Sequence, residues 1–221
     1  MITTTEFEKG LIVGAIRALR ARRVLEIGAF HGQTTRVMAD AVREHGGSVV
    51  VIDPMKWSSE LLRNGIARHL PGSFPRTFSA IERVVDLAGY EAKFWQTVGP
   101  ARDCVTLHRA LSSDSALLTS TDPTLQAFDL VFIDGDHGYE GAKLDLERWG
   151  RRVRPGGLVL VHDATPRFPG VMRALEELGR SRDLEVHWPQ RDSLCVIRMG
   201  SAEEVSHPRS VAKAEHNGME S

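Results

Sequence analysis

Seven short runs of β-branched and other apolar residues punctuate this chain, and most are separated by stretches with helical spacing. They are Val24–Gly28, Ser48–Asp53, Cys104–Arg109, Asp129–Asp134, Gly157–Asp163, Leu184–Trp188 and Ser193–Met199. The central runs are almost continuously apolar, which fits strands buried on both faces, as in a parallel sheet covered by helices. Tyr139, Ala142, Leu146, Trp149 and Val153 recur at helical intervals and predict one helix over 139–153. Val37, Met38, Ala41 and Val42 predict another, ended by Gly46-Gly47. Arg154-Pro155-Gly156-Gly157 reads as a sharp turn into the next strand. The last two runs are joined by Pro189–Asp192, about four residues, too few for a parallel crossover, so they form an antiparallel hairpin. The fold class that follows is α/β: a doubly wound, mostly parallel seven-stranded sheet with a C-terminal antiparallel hairpin.

Two segments fall outside the alternation. Residues 55–101 carry Trp57, Phe74, Phe78, Tyr90, Phe94 and Trp95 and read as a helical cap inserted over the sheet's C-terminal edge. Residues 201–221 are polar and lack aromatics, as a disordered tail would be. Residues 1–200 then form a single domain. The formal net charge of −1 carries no electrostatic footprint for nucleic acid or an anionic membrane. Two cysteines, Cys104 and Cys195, in apolar runs fit a reducing compartment better than a disulfide scaffold. With a polar, acidic N-terminus and no membrane-length apolar stretch, the expected location is cytoplasmic.

The first run opens a candidate ligand site. Val24 to Thr35 is a strand, a glycine turn and a helix start. Gly28 permits a tight turn and Gly32 a close backbone approach. The helix N-terminus offers free N–H groups to an anion, and Thr34 or Thr35 adds a hydroxyl. The second strand ends at Asp53, where a carboxylate of a doubly wound fold accepts hydrogen bonds from ribose. The glycine spacing is G-x-x-x-G, not the G-x-G-x-x-G of a dinucleotide cradle, which favours an adenosyl ligand carrying a small carboxylate.

A second constellation closes strands four and five. Asp134 and Asp163 end adjacent strands, about 4.8 Å apart in a sheet, and can face one cavity. Two carboxylates among oxygen ligands suit Mg²⁺, which would hold an acceptor's hydroxyls and lower the pKa of the reacting one. His162 is a third candidate ligand, although Mg²⁺ disfavours nitrogen. A softer ion, a ligand from Asp136 or water, or no metal at all are the alternatives. A purely structural reading has both aspartates capping helices or pairing with Arg109 or Arg167. His137, on the loop opening the next helix, is the candidate general base, because imidazole exchanges protons near neutral pH.

On these residues the chain resembles the class I S-adenosylmethionine (SAM)-dependent methyltransferases over about residues 10–199. The turn Glu26-Ile-Gly28-Ala-Phe30-His-Gly32 resembles that of metal-dependent catechol-type O-methyltransferases. Asp134-Gly-Asp-His137-Gly-Tyr139-Glu and Pro155-Gly-Gly157 with His162-Asp163 resemble macrolide-sugar O-methyltransferases and cephalosporin-hydroxylase-like proteins. The resemblance implies a cofactor group of Glu26, Gly28, Phe30, Gly32, Thr34, Asp53, Leu111, Ser112 and Asp134. Within it Gly28 and Phe30 lie against the methionine, Thr34 holds its carboxylate, Asp53 the ribose, and Leu111 and Ser112 flank the adenine. It implies His137 as the base, and a divalent metal held by Asp134, Asp163 and His162. His162-Asp163-Ala164 departs from the Glu-Asp and Asp-Asn of those families, which leaves the metal in question. The expected activity is methyl transfer to a hydroxyl of a small molecule, phenolic, sugar or other natural product. Cap helices that pair across a two-fold would make a homodimer or higher homo-oligomer. The alternatives are a repurposed or non-catalytic adenosyl-binding protein of the same fold and a nicotinamide-dependent oxidoreductase.

Overall fold

A computed structural model describes residues 4–55, 88–181, 185–188 and 192–200. The tail at 201–221 and most of the expected cap, including Trp57, Phe74 and Phe78, lie outside them. The strands are β1 (Arg23–Ile27), β2 (Ser48–Ile52), β3 (Val105–His108), β4 (Phe128–Ile133), β5 (Val153–Val161), β6 (Glu185–His187) and β7 (Cys195–Arg198). The α-helices are α1 (Glu6–Leu19), α2 (Gln33–Arg43), α3 (Ala88–Val98), α4 (Ser115–Leu118), α5 (Tyr139–Leu144) and α6 (Pro169–Ser181). The sheet order is β3-β2-β1-β4-β5-β7-β6. β1 to β5 run parallel, and β7 lies antiparallel between β5 and β6. The doubly wound sheet with its terminal hairpin is therefore what the apolar runs predict.

Side chains alternate faces along a strand, so the continuous apolar runs feed two cores at once. Val24, Val49, Val51, Leu130, Phe132 and Leu160 enter one core with Ile12 and Ile16 of α1 and Met38 of α2. Leu25, Ile27, Val50, Val131, Val159 and Val161 enter the other with Trp149 and with Leu175 of α6. Burying a side chain of this size stabilises the fold by about 1.5–3 kcal/mol.

Three local readings change. The helix expected over 139–153 is α-helical only to Leu144; it widens into a π-turn over Asp145–Trp149, then tightens into a 3₁₀ turn, and Val153 already belongs to β5. Helical spacing continues across that boundary because Trp149 and Val153 both bury on the same side of the sheet. The Pro155-Gly156-Gly157 turn becomes a bulge within β5. Phe128 pairs with Val153 and Leu130 with Leu158, so the residues between loop out, with Gly156 at φ 82°. Finally, α3, which falls in the expected cap, packs beside α2: its Phe94 is fully buried in the first core.

Candidate active site

Parallel register brings the candidate residues to one edge. Ile27 pairs with Ile52 and Ile133, and Ile133 with Val161. The ladder runs on by one residue: the amides of Gly28, Asp134 and His162 donate to the carbonyls of Ile52, Ile27 and Ile133 at 3.0, 2.8 and 2.9 Å. Gly28, Asp53, Asp134 and His162 thus emerge side by side at the carboxyl edge, where open α/β sheets bind ligands.

At the β1–β2 corner the chain turns through left-handed backbone at Gly28 (φ 81°), Phe30 (46°) and Gly32 (78°). A Cβ on Gly28 would collide with the carbonyl oxygen of Asp134. One on Gly32 would come within 2.8 Å of the Phe94 ring, so helix packing explains Gly32. Asp53 is buried and organises the turn: Oδ2 accepts the amides of Ala29 and Phe30 at 2.8 and 3.1 Å, and Oδ1 accepts that of Met55 at 2.6 Å. Glu26 lies beneath the turn, fully buried. Thr35 donates to its Oε2, and Oε1 has no partner. Burial holds its carboxyl well above the usual range, reinforced by the nearby charges of Asp134 and Asp53. Glu26 is therefore a support of the turn, with no exposed face toward a ligand. The Thr34 hydroxyl pairs with that of Thr4 at 2.9 Å. Phe30, His31 and Tyr90 form an aromatic group beside the turn, with ring centroids 3.8 to 5.7 Å apart.

Beyond β3, Leu111 is an exposed apolar side chain at 60 % exposure, and the Ser112 carbonyl accepts a hydrogen bond from the Trp149 indole at 2.9 Å. Behind this loop Asp145 is fully buried in the π-turn, with neither carboxylate oxygen hydrogen-bonded. Burial pushes its carboxyl up to about 7; Asp136 adds to the shift, and Ser112 opposes it without reaching hydrogen-bond geometry. A π-turn that carries an unpaired buried acid has no signature in the apolar pattern.

The β4–β5 corner is held by charge. His137 Nε2 lies 2.7 Å from Asp163 Oδ2, and its ring stacks on Phe168 at 4.4 Å. The His137 side chain is 34 % exposed, whereas that of Asp163 is buried. Burial alone would raise the Asp163 carboxyl; hydrogen bonds from His137 and His162 outweigh it and hold it below the usual range. Asp163 itself sits at φ 57°, left-handed backbone that aspartate tolerates better than most residues. His162 is fully buried. Its Nδ1 lies 3.0 Å from Asp134 Oδ1 and 3.6 Å from Asp163 Oδ2, and its Nε2 lies 3.3 Å from Glu8 Oε2. Burial favours the neutral ring, but these carboxylates outweigh it and push the imidazole up to about 12. Neither aspartate pairs with Arg109, which bridges to Glu91, or with Arg167, which lies over Phe168.

Glu8 is a member of this corner that the strand pattern does not reveal. It closes a capping box at the start of α1: Thr5 Oγ1 accepts the Glu8 amide, and Glu8 Oε2 accepts the Thr5 amide at 2.8 Å. Its Oε1 accepts the amide and hydroxyl of Ser193 at 3.0 and 2.8 Å. The sequence signal is Thr5-Glu6-Phe7-Glu8, which announces a helix start and nothing about a partner 154 residues away.

Asp134, His162 and Asp163 each offer a ligand atom, all within 4.8 Å of one another. The donor set does not suit a hard dication. His162 brings nitrogen where Mg²⁺ prefers oxygen, and both of its nitrogens already face carboxylates.

The sequence profile of a methyltransferase-domain family matches residues 25–164, more than half of the chain, and spans both corners. The chain belongs to that family and is a class I SAM-dependent methyltransferase. Among solved structures, a Klebsiella pneumoniae protein assigned as an O-methyltransferase is similar at 19 % identity, covering 90 % of this chain and 82 % of its own, with a TM-score of 0.62. The O-methyltransferase TomG from Streptomyces achromogenes, involved in tomaymycin synthesis and solved with SAM, is similar at 21 % identity, 90 % and 82 % coverage and TM-score 0.61. A Bacillus cereus O-methyltransferase solved with SAH reaches 17 % identity, 88 % and 81 % coverage and TM-score 0.59. These likenesses establish the shared fold, and family membership sets the oxidoreductase alternative aside. Among the described residues no helix is long and apolar enough to cross a membrane.

Proposed function

We propose that this chain transfers the methyl group of SAM to a hydroxyl oxygen of a small molecule. The observation that carries the reading is the His137–Asp163 pair: a partly exposed imidazole, oriented by a buried carboxylate, one strand away from the glycine turn. With Nε2 committed to Asp163, Nδ1 is the ring nitrogen left to accept the acceptor's proton. Asp163 steadies the positive ring that results, as the orienting acid of a catalytic triad does. Bound SAM supplies an electrophilic methyl, whose C–S bond breaks as the acceptor oxygen's lone pair takes the carbon. The protein's larger share is alignment of oxygen, carbon and sulfur and exclusion of water.

In this reading Gly28 and Phe30 lie against the methionine chain and the α2 N-terminus, with Thr34, meets its carboxylate. Asp53 Oδ1, which carries one amide, retains lone-pair capacity for a ribose hydroxyl. Leu111 and Ser112 flank the adenine, and Asp134 stands between cofactor and acceptor. TomG, similar in fold, serves the synthesis of a natural product, which supports a small-molecule acceptor. Calorimetry with SAM, followed by assay of SAH release over a panel of phenols and sugars, tests the proposal. Saturable binding and acceptor-dependent release are expected. Binding without any methylated product would favour a repurposed adenosyl-binding protein.

A further inference from the structure

We propose that a groove at the amino edge of the sheet binds an anion built of linked phosphate groups, held by Arg20, Arg22, Arg23 and Arg154. The site goes beyond the methyl-transfer reading and does not depend on it. Parallel register gathers residues where the strands begin, as it does where they end. Arg23 opens β1 beside Ser48 of β2, and Phe128 of β4 pairs with Val153 of β5. The groove there holds about 490 Å³, within the range of small-ligand sites, and the four arginines line it with Ser48 and Asp129. Arg23 stands five residues before Gly28 on the same strand, so about 16 Å of sheet separates the groove from the glycine turn.

Asp129 is the one carboxylate of the lining, and it is buried and committed. Its Oδ2 accepts the amides of Arg22 and Arg23 at 2.5 and 3.1 Å, and its Oδ1 pairs with Arg154 Nε at 2.8 Å. It thereby fixes the backbone from which two of the guanidiniums spring. Arg23 is anchored as well: it donates to the Pro123 carbonyl and lies over the Phe128 ring at 5.9 Å. Arg20 and Arg22 are exposed, and among the described residues neither guanidinium pairs with a carboxylate, whereas nearby Arg17 is matched by Glu44. Four positive charges against one negative leave +3 in the groove, on a chain whose formal net charge is −1. Like charges facing one groove repel while it is empty, and an anion of several charges relieves them. Arginine's planar fork takes two phosphate oxygens at once, and the Ser48 hydroxyl adds a donor. A single carboxylate would leave most of that charge unmatched; a run of linked phosphates meets it. The backbone singles out the same place. Of five described non-glycine residues in left-handed backbone, Phe30, Met55 and Asp163 stand at the carboxyl edge, while Arg20, which caps α1, and Ala127 border this groove. Backbone of that kind gathers at ligand sites.

Calorimetry of the full-length protein with sodium tripolyphosphate, at about 0.15 M salt, tests the site. Wild type should bind one equivalent with a Kd below about 1 mM, and equally with saturating SAM present. A weaker Kd, or competition with SAM, would overturn the proposal. The double variant Arg20→Gln/Arg22→Gln should bind at least about tenfold more weakly. Both side chains are exposed, so the variant should keep its fold, which circular dichroism checks. Arg109→Gln/Arg167→Gln removes the same charge from the opposite edge and should change Kd less than about twofold. Equal weakening by the two pairs would mean attraction to net charge alone, and would overturn the site. Adenosine di- and triphosphate carry linked phosphates on a nucleoside. Equal or lower affinity than tripolyphosphate assigns the site to the phosphates alone, higher affinity to a nucleotide, and both uphold it. A single-stranded RNA that binds at least about tenfold more tightly than tripolyphosphate would overturn it in favour of a nucleic-acid surface.

Discussion

The two corners of the sheet edge are built by different means. The β1–β2 corner is backbone architecture: residues 24–35 turn through left-handed glycines, and Asp53 ties two amides of that turn with one oxygen. The β4–β5 corner is side-chain charge: Glu8 from the first helix, Asp134, His162 and Asp163 from two strand ends, and His137 from a loop. The first can be broken by adding a methyl group, the second by removing a charge. A local motif can be rigid on its own, whereas a charge network is as good as its most distant member.

Gly28→Ala should be the severest test, because Gly28 lies where the corners touch. The new Cβ would push on the Asp134 carbonyl, backbone that cannot yield. The expected cost is at least about 4 kcal/mol, read as loss of soluble protein or a collapsed thermal transition. His137→Ala should separate the corners: cofactor affinity by calorimetry stays within about twofold while turnover falls by about 10²–10⁴. An unaffected rate would remove His137 from the mechanism. Glu8→Ala strips the buried His162 ring of one partner and should lower stability by about 3–5 kcal/mol in chemical denaturation. A change below about 1 kcal/mol would show that the network does not hold the second corner.

Asp145→Asn should act only in a pH window. Burial raises the Asp145 carboxyl from 3.8 to about 7 in the folded state. Its contribution is thus fully present below about 3.8 and lost as pH rises through about 7. Wild-type stability should fall across that window by on the order of 4 kcal/mol, about 1.4 kcal/mol per pH unit, and the variant should lose the slope. Parallel curves for the two proteins would show that Asp145 does not ionise there.

How much of this was legible in the sequence follows the same division. The turn at Gly28 and Gly32, Asp53 at the end of β2 and the pairing of Asp134 with Asp163 on adjacent strand ends are readable because strand ends in a parallel sheet share an edge. The spacing could not separate the glycines' reasons: Gly28 avoids a neighbouring strand's carbonyl, while Gly32 avoids the ring of Phe94 62 residues on. Nor could it show that Glu26 lies wholly beneath the turn. Arg152 makes the same point: it donates to the carbonyls of Leu117, Leu118 and Leu125 and covers Trp149, partners that no local pattern announces.

By itself the sequence determined the layer order, the strand that reverses and the edge that carries the candidate site, because periodicity and turn chemistry act between near neighbours in the chain. The tertiary structure alone decided the partners of His162. A buried ring must find its polar partners wherever the fold brings them, and Glu8 and Asp134 meet it from 154 and 28 residues away. Hydrophobic period encodes which face a residue takes, and carries nothing about the charge it will meet there.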